Sequence, residues 1–120
     1  LHEEMGDYRS AIHQLKEVVR LSPENSDAWL DLGVCYAQKG FYAEAEKAYE
    51  QAQLLKGEDL LLVYNLGALY ALWERPREAI ERLKRAIEID RSTVVTWLAA
   101  DSMFDGLKGH PDFEALRVWS

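Results

Sequence analysis

The sequence is poor in the residues that build disulfide frameworks, metal centres and nucleic-acid interfaces. Its single cysteine, Cys35, excludes an intrachain disulfide and any multi-cysteine zinc or redox motif. That cysteine is compatible with a reducing compartment such as the cytoplasm, without establishing one. The 14 Lys and Arg residues are outnumbered by 21 Asp and Glu residues, which gives a net charge of −7. Because nucleic-acid binding needs a basic face that displaces counterions from phosphates, this balance argues against such a partner. No apolar run approaches the ~18 residues of a membrane span.

A pattern with a period of 34 residues recurs along the chain. Its clearest copy contains Trp29, Leu32, Gly33, Tyr36, Gly40, Ala45, Tyr49 and Ala52. One period later stand Val63, Leu66, Gly67, Tyr70, Ala79, Leu83 and Ala86, and Trp97 falls one period after Val63. An N-terminal half copy supplies Gly6, Ala11, Leu15, Val18 and Pro23. The recurrence predicts a repeat protein and not one irregular core.

This spacing resembles the tetratricopeptide repeat (TPR), W-x₂-L-G-x₂-Y … A-x₃-F … P, from residue 1 to about residue 104. The resemblance implies an all-α, right-handed α-solenoid of antiparallel helix pairs, closed by a short C-terminal helical cap. It also implies one TPR domain over 1–120, divided into a partial repeat at 1–25, repeats at 26–59 and 60–93, and a half repeat with a capping segment at 94–120. The residues from Asp101 to Leu116 are similar to the segment that often closes bacterial TPR arrays, which suggests a fragment of a bacterial protein. The alternative is that these residues begin a further domain.

The residue pattern predicts the helices independently of the resemblance. Apolar side chains at Ala28, Trp29, Leu32 and Tyr36 lie on one helical face, and Gly40 is suited to end that helix. The predicted helices span about 8–21, 27–39, 42–55, 61–73, 76–89 and 94–100. Residues 1–5 are expected to form only the last turn of an earlier helix. The following helix would then pack on residues outside this chain or on a second copy, which predicts a possible homodimer.

Glycines inside two predicted helices indicate tight packing. Gly33 and Gly67 each cost about 1 kcal/mol relative to alanine in a helix interior. We therefore expect another helix backbone to approach closely at both positions.

No catalytic site, metal site or cofactor is predicted. The three histidines, His2, His13 and His110, lie far apart on different predicted elements, and no zinc-protease, P-loop or dinucleotide motif is present. The repeat register places no histidine near Cys35, so that cysteine is interpreted as a small buried filler. The alternating acidic and basic residues at 44–47 and 74–88 are interpreted as solvated outer faces.

The resemblance predicts a partner-binding groove, because the first helix of each TPR lines the concave face. The predicted groove residues are Leu30, Val34, Gln38, Tyr64, Asn65, Ala68, Leu72, Val95 and Leu98. This largely apolar set suits an apolar helix or an extended peptide, with Asn65, Asp27 and Asp31 available for polar contacts. Leu30→Asp or Tyr64→Asp is expected to abolish binding and to leave helicity intact. The alternative is that the cap or an N-terminal repeat folds onto these residues.

The groove positions also make a prediction about one TPR subtype. Adaptors that grip the acidic C-terminal tails of heat-shock chaperones use Lys, Asn and Arg there, and only Asn65 agrees. Without cations the groove offers no compensation for the desolvation of a carboxylate, so it should not bind such tails. Trp73 and Trp119 lie outside the repeat pattern; each is a candidate anchor for a partner or a filler of a turn.

The sequence therefore predicts a non-catalytic scaffold that binds a peptide or helix of a partner protein. The alternative is an assembly or self-association module of a larger enzyme or regulator, whose active part lies outside this chain.

Overall fold

The computed structural model describes the backbone of residues 3–118 and the side chains of residues 8–101 and 104–116. Over that range the fold is all-α and contains no strand. The helices are α1 (Glu3–Leu21), α2 (Ser26–Gln38), α3 (Tyr42–Lys56), α4 (Leu60–Leu72), α5 (Pro76–Ile89), α6 (Arg91–Ala100), a 3₁₀ helix (Ser102–Leu107) and α7 (Pro111–Val118). Consecutive helices pack in pairs, which confirms the predicted α-solenoid class. Within 3–118, no helix is both long enough and apolar enough to cross a membrane.

The first helix differs from the prediction. Instead of ending an earlier helix, residues 3–5 belong to α1, which continues through Gly6 to Leu21. A glycine in a helix interior costs only about 1 kcal/mol, and Glu3, Glu4 and Met5 are good helix formers. The expectation that residues 3–5 belong to a separate, earlier helix was therefore wrong.

Side-chain caps fix the starts of three helices. The Asn25 side chain accepts a hydrogen bond from the Ala28 N–H at 3.0 Å, and Asp59, 34 residues later, accepts one from Leu62 at 2.9 Å. The third cap departs from the period: Asp90 accepts a hydrogen bond from the Thr93 N–H at 3.2 Å, so α6 begins three residues before the predicted start. Caps of this kind contribute about 1 kcal/mol each.

The chain packs as two compact units, Leu1–Glu58 and Asp59–Ser120, and their boundary falls where one predicted repeat ends and the next begins. In the first unit, α2 packs against both α1 and α3. Its core contains Val19 from α1, Leu32 from α2 and Ala48 from α3.

The second unit is built on the α4–α5 pair. The 3₁₀ helix packs against α4, while α6 and α7 pack against α5. The four apolar residues predicted to form a cap are between 1% and 4% exposed: Phe104, Leu107, Phe113 and Leu116. The segment after residue 101 therefore packs onto this unit through its apolar side chains.

The glycines inside α2 and α4, Gly33 and Gly67, have different surroundings. A Cβ added at Gly33 would lie 2.5 Å from Cε1 of the Tyr49 ring, so a side chain fills that space, where a helix backbone was expected. At Gly67 the added Cβ would lie 3.4 Å from the Leu83 side chain and 3.5 Å from the Ala79 carbonyl oxygen. The expected backbone approach thus occurs at Gly67, at an ordinary contact distance.

Candidate protein-interaction surfaces

Helix α2 presents two candidate surfaces on nearly opposite faces. Each residue of an α-helix is rotated by about 100° from the last. Leu30, Val34 and Gln38 therefore follow one line along α2, which we call the α2 strip. Trp29, Leu32 and Tyr36 follow a line on the other side of the same helix.

The α2 strip is open to solvent and is bordered by carboxylates. Leu30 and Val34 are half-buried and Gln38 is exposed. By helical register, Asp27 and Asp31 stand beside these residues. Desolvation, followed by the charge of Asp27, raises the pKa of the Asp31 carboxyl above its ordinary value. Asp27 also forms a long, exposed ion pair with Lys56, with 3.9 Å between Oδ1 and Nζ. The strip is thus an accessible apolar line with a partly compensated negative charge along its edge.

The predicted groove residues of the second unit are less accessible. Tyr64, Ala68 and Leu98 are buried, with exposed fractions of 5%, 3% and 7%. Three further predicted residues are half-buried: Asn65, Leu72 and Val95. A partner could bind Tyr64, Ala68 and Leu98 only after the residues that cover them were displaced.

The residues that cover Tyr64 come from the C-terminal part of the same unit. Its hydroxyl donates a hydrogen bond to Oδ2 of Asp101 at 2.9 Å. Its ring centroid lies 4.8 Å from that of Trp97 and 5.4 Å from that of Phe104. At Tyr64 the structure therefore matches the alternative in which the chain folds onto its own groove residues.

This environment changes what a substitution at Tyr64 would test. Burial, followed by the hydrogen bond to Asp101, raises the pKa of the Tyr64 phenol, which stays neutral as a donor. Tyr64→Asp would place a second carboxylate beside Asp101 in a buried position, at a large desolvation cost. The expectation that this variant keeps its helicity intact is therefore not supported, and Leu30 is the better position.

An apolar cavity of about 350 Å³ opens on the other face of α2, between α1 and α3. The lining residues are Lys16, Val19, Arg20, Trp29, Leu32, Tyr36, Glu44, Lys47 and Ala48. Trp29 is held in place because its indole N–H donates a hydrogen bond to the Pro23 carbonyl oxygen at 2.8 Å. Tyr36 makes an edge-on contact with Phe41, with the ring centroids 6.3 Å apart. We call this site the basic-rimmed cavity, after Lys16, Arg20 and Lys47.

Sequence reasoning missed this cavity. It placed Trp29 and Tyr36 on the apolar face of their helix and Lys47 on a solvated outer face. The spacing of Lys16 and Arg20, four residues apart and hence on one face of α1, was the available signal. The cavity is formed by residues of three helices, α1, α2 and α3. A repeat pattern does not specify the spacing between those helices.

Of the two tryptophans outside the repeat pattern, Trp73 lies among the residues that the structure describes. Trp73 is half-buried and stacks on Tyr70 with an interplanar angle of 7°, and the Arg75 guanidinium carbon lies 3.7 Å from the centre of its indole ring. These contacts match the turn-filling alternative. Trp119 lies outside the described residues.

The surroundings of Cys35 do not activate its thiol. Cys35 is half-buried, and desolvation, followed by the charge of Asp31, raises the pKa of its thiol. The raised pKa disfavours the thiolate that a nucleophile requires. Among the described residues, no group of three or more His, Cys, Asp or Glu could hold a metal ion.

The α5 region carries exposed ion pairs within one helix turn. The nitrogen–oxygen distances are 3.7 Å for Arg75–Glu78 and 3.1 Å for Arg85–Glu88. Pairs this exposed contribute about 0–1 kcal/mol each, as expected for a solvated outer face.

Comparison with known proteins gives two family matches and several relatives. A family model described as tetratricopeptide repeat matches residues 1–60, and a second with the same description matches residues 62–93. Superkiller complex protein 3 of Mus musculus is 33% identical over 90 residues, which cover 73% of this chain and 6% of that protein. Superkiller protein 3 of Schizosaccharomyces pombe is 33% identical over 63 residues, 52% of this chain and 4% of that protein. Protein O-mannosyl-transferase TMTC1 of Homo sapiens is 33% identical over 72 residues, 60% of this chain and 8% of that protein. The chain therefore spans less than a tenth of the length of these relatives.

Proposed function

The chain belongs to the tetratricopeptide repeat family, and we propose that it is a non-catalytic scaffold that binds a protein partner along the α2 strip. Repeats of this family generally mediate protein–protein interaction. The observation that carries the proposal is the accessibility of Leu30, Val34 and Gln38 on a helix that packs against both α1 and α3. An apolar line of this kind gains affinity by removing its surface from water.

The charges beside the strip define the partner further. Asp27 and Asp31 are both exposed, and the desolvation that raises the pKa of Asp31 would increase when a partner covers it. A cation on the partner would offset that cost. We therefore propose an apolar helix or extended segment that carries Lys or Arg beside its apolar residues.

The experiment is a peptide selection followed by a comparison of variants. Peptides from a random display library are selected on the full chain, and their affinities are measured by calorimetry. Leu30→Asp and Val34→Asp should each weaken binding by at least about tenfold, because a carboxylate replaces an apolar contact. Leu54→Asp is the matched control, since Leu54 is 79% exposed in the same unit but lies on α3.

Circular dichroism checks that all three variants keep the helicity of the parent chain. Selected peptides with basic and apolar residues that lose affinity only with the two α2 variants would support the proposal. If every selected peptide binds Leu30→Asp and Val34→Asp as tightly as the parent, the α2 strip is not the binding surface.

A second candidate function is self-association, or assembly within a larger protein. It is favoured by exposed apolar side chains on α1, where Val18 is 38% and Leu21 is 69% exposed. One of the relatives is named a mannosyl-transferase, so a module that serves an enzyme fits this candidate. Light scattering at several concentrations distinguishes the two. A mass that doubles with concentration, and that Leu21→Asp returns to the monomer value, would favour self-association.

A further inference from the structure

We infer that the basic-rimmed cavity is a second docking site, which takes one apolar side chain from an acidic segment of a partner protein. This site lies on the face of α2 opposite the α2 strip, so the inference does not depend on the proposed function. Three observations support it: the size of the cavity, its fixed aromatic wall and the charge of its rim.

The size of the cavity fits a single anchor. Its volume of about 350 Å³ lies at the lower end of the range for ligand pockets, roughly 300–1,000 Å³. The floor is apolar, since Leu32 is 3% and Ala48 is 2% exposed. One phenylalanine or leucine side chain suits this space, whereas the apolar face of a whole helix needs a longer groove.

The wall of the cavity is already in position. The hydrogen bond from the Trp29 indole to Pro23 sets the orientation of one ring, and the contact with Phe41 restricts the Tyr36 ring. A site whose aromatic side chains are fixed before binding loses less conformational entropy when it is occupied.

The rim carries a local excess of positive charge on an acidic protein. Lys16 and Lys47 make no hydrogen bond or ion pair with any residue that the structure describes. Arg20 pairs with Glu17 at 2.8 Å, and among the described residues Glu44 is the one carboxylate that lines the cavity. The chain as a whole has a net charge of −7, whereas this patch is locally positive. The patch is therefore complementary in charge to an acidic segment.

The two faces of α2 therefore differ in the charge that they would select. The α2 strip is bordered by Asp27 and Asp31, and the cavity by Lys16 and Lys47. A partner with acidic residues around an apolar anchor fits the cavity and is disfavoured at the strip.

The first test uses three short synthetic peptides in titrations of the ¹⁵N-labelled chain. One has a phenylalanine flanked by two glutamates on each side, one replaces the phenylalanine with glycine, and one replaces the glutamates with lysines. We expect saturable shifts at the Trp29 indole N–H and at the Lys47 amide for the first peptide alone. Shifts of equal size with the lysine peptide, or shifts confined to Leu30 and Val34, would overturn the inference.

The second test reverses the charge of the rim. The double variant Lys16→Glu with Lys47→Glu should bind the phenylalanine–glutamate peptide at least tenfold more weakly, and added salt should weaken binding to the parent chain. Lys84→Glu is the control, because Lys84 is an exposed lysine on α5 in the other unit. Equal affinities for all three chains would contradict the inference.

Two further outcomes are distinguishable. Leu30→Asp should leave the acidic peptide bound, so failure of the α2 strip and failure of the cavity can be separated. If the cavity resonances shift with protein concentration in the absence of peptide, a second copy of the chain is the occupant and the inference is wrong.

Discussion

At the scale of single residues, Gly33 in α2 and Gly67 in α4 occupy equivalent repeat positions but are required to different degrees. Gly33 faces the ring of Tyr49, which is 2% exposed. Gly67 faces the Leu83 side chain at an ordinary contact distance. The same residue type thus accommodates a bulky aromatic ring in one repeat and a leucine in the other.

This difference predicts opposite effects of the same substitution. Gly33→Ala should destabilise the chain by about 1–3 kcal/mol, because the new methyl group overlaps the Tyr49 ring. Gly67→Ala should be neutral or stabilising by up to about 1 kcal/mol, since alanine favours the helix and its Cβ fits. Urea unfolding of both variants measures the two free energies. Unchanged stability in Gly33→Ala would contradict this prediction and would show that Tyr49 can shift aside.

At the scale of elements, the α2–α3 turn and the α4–α5 turn each contain a residue with positive φ, but the residue is glycine in one turn and glutamate in the other. Gly40, between α2 and α3, has φ = 83°, and Glu74, between α4 and α5, has φ = 61°. Only glycine adopts this left-handed conformation without a Cβ penalty. The α4–α5 turn therefore carries strain that the α2–α3 turn avoids.

Glu74→Gly should accordingly stabilise the chain, by about 0.5–1 kcal/mol, and Gly40→Ala should destabilise it by about 1 kcal/mol. The side chain of Glu74 is exposed, so its removal loses little packing. Thermal unfolding compares both variants with the parent. A decrease in Tm for Glu74→Gly would mean that the glutamate side chain contributes a contact that outweighs the strain.

The sequence predicted the bounds of the helices better than the packing between them. Helices α2 to α5 end within a residue or so of their predicted bounds, because Asn25, Gly40 and Asp59 are local signals that act within one turn. The predicted start of α6 was wrong, because Asp90 caps the helix three residues earlier than the 34-residue period predicts. The burial of Tyr64 was anticipated only as an alternative, and the cavity beside Trp29 was not predicted, because both depend on how separate helices pack.

At the scale of the whole molecule, buried phenols couple folding to alkaline pH in both units. Burial raises the pKa of Tyr49 in the first unit and of Tyr64 in the second, the latter with a contribution from its hydrogen bond to Asp101. In the unfolded chain both phenols ionise near pH 10. A group whose pKa is raised by folding contributes stability below its unfolded pKa, and that stability is lost as pH rises towards its folded pKa.

We therefore expect the free energy of unfolding to fall above about pH 10, by up to about 1.4 kcal/mol per pH unit for each tyrosine. Urea unfolding at intervals from pH 8 to pH 11 measures this slope. Tyr49→Phe keeps the ring and removes the ionisable group, so it should flatten the slope and cost little stability at pH 7. Tyr64→Phe should flatten the slope too, but with a loss at pH 7, because Tyr64 donates a hydrogen bond to Asp101. A slope unchanged in the double variant would mean that neither phenol links folding to pH, and that the repulsion of an increasingly negative chain accounts for the alkaline loss.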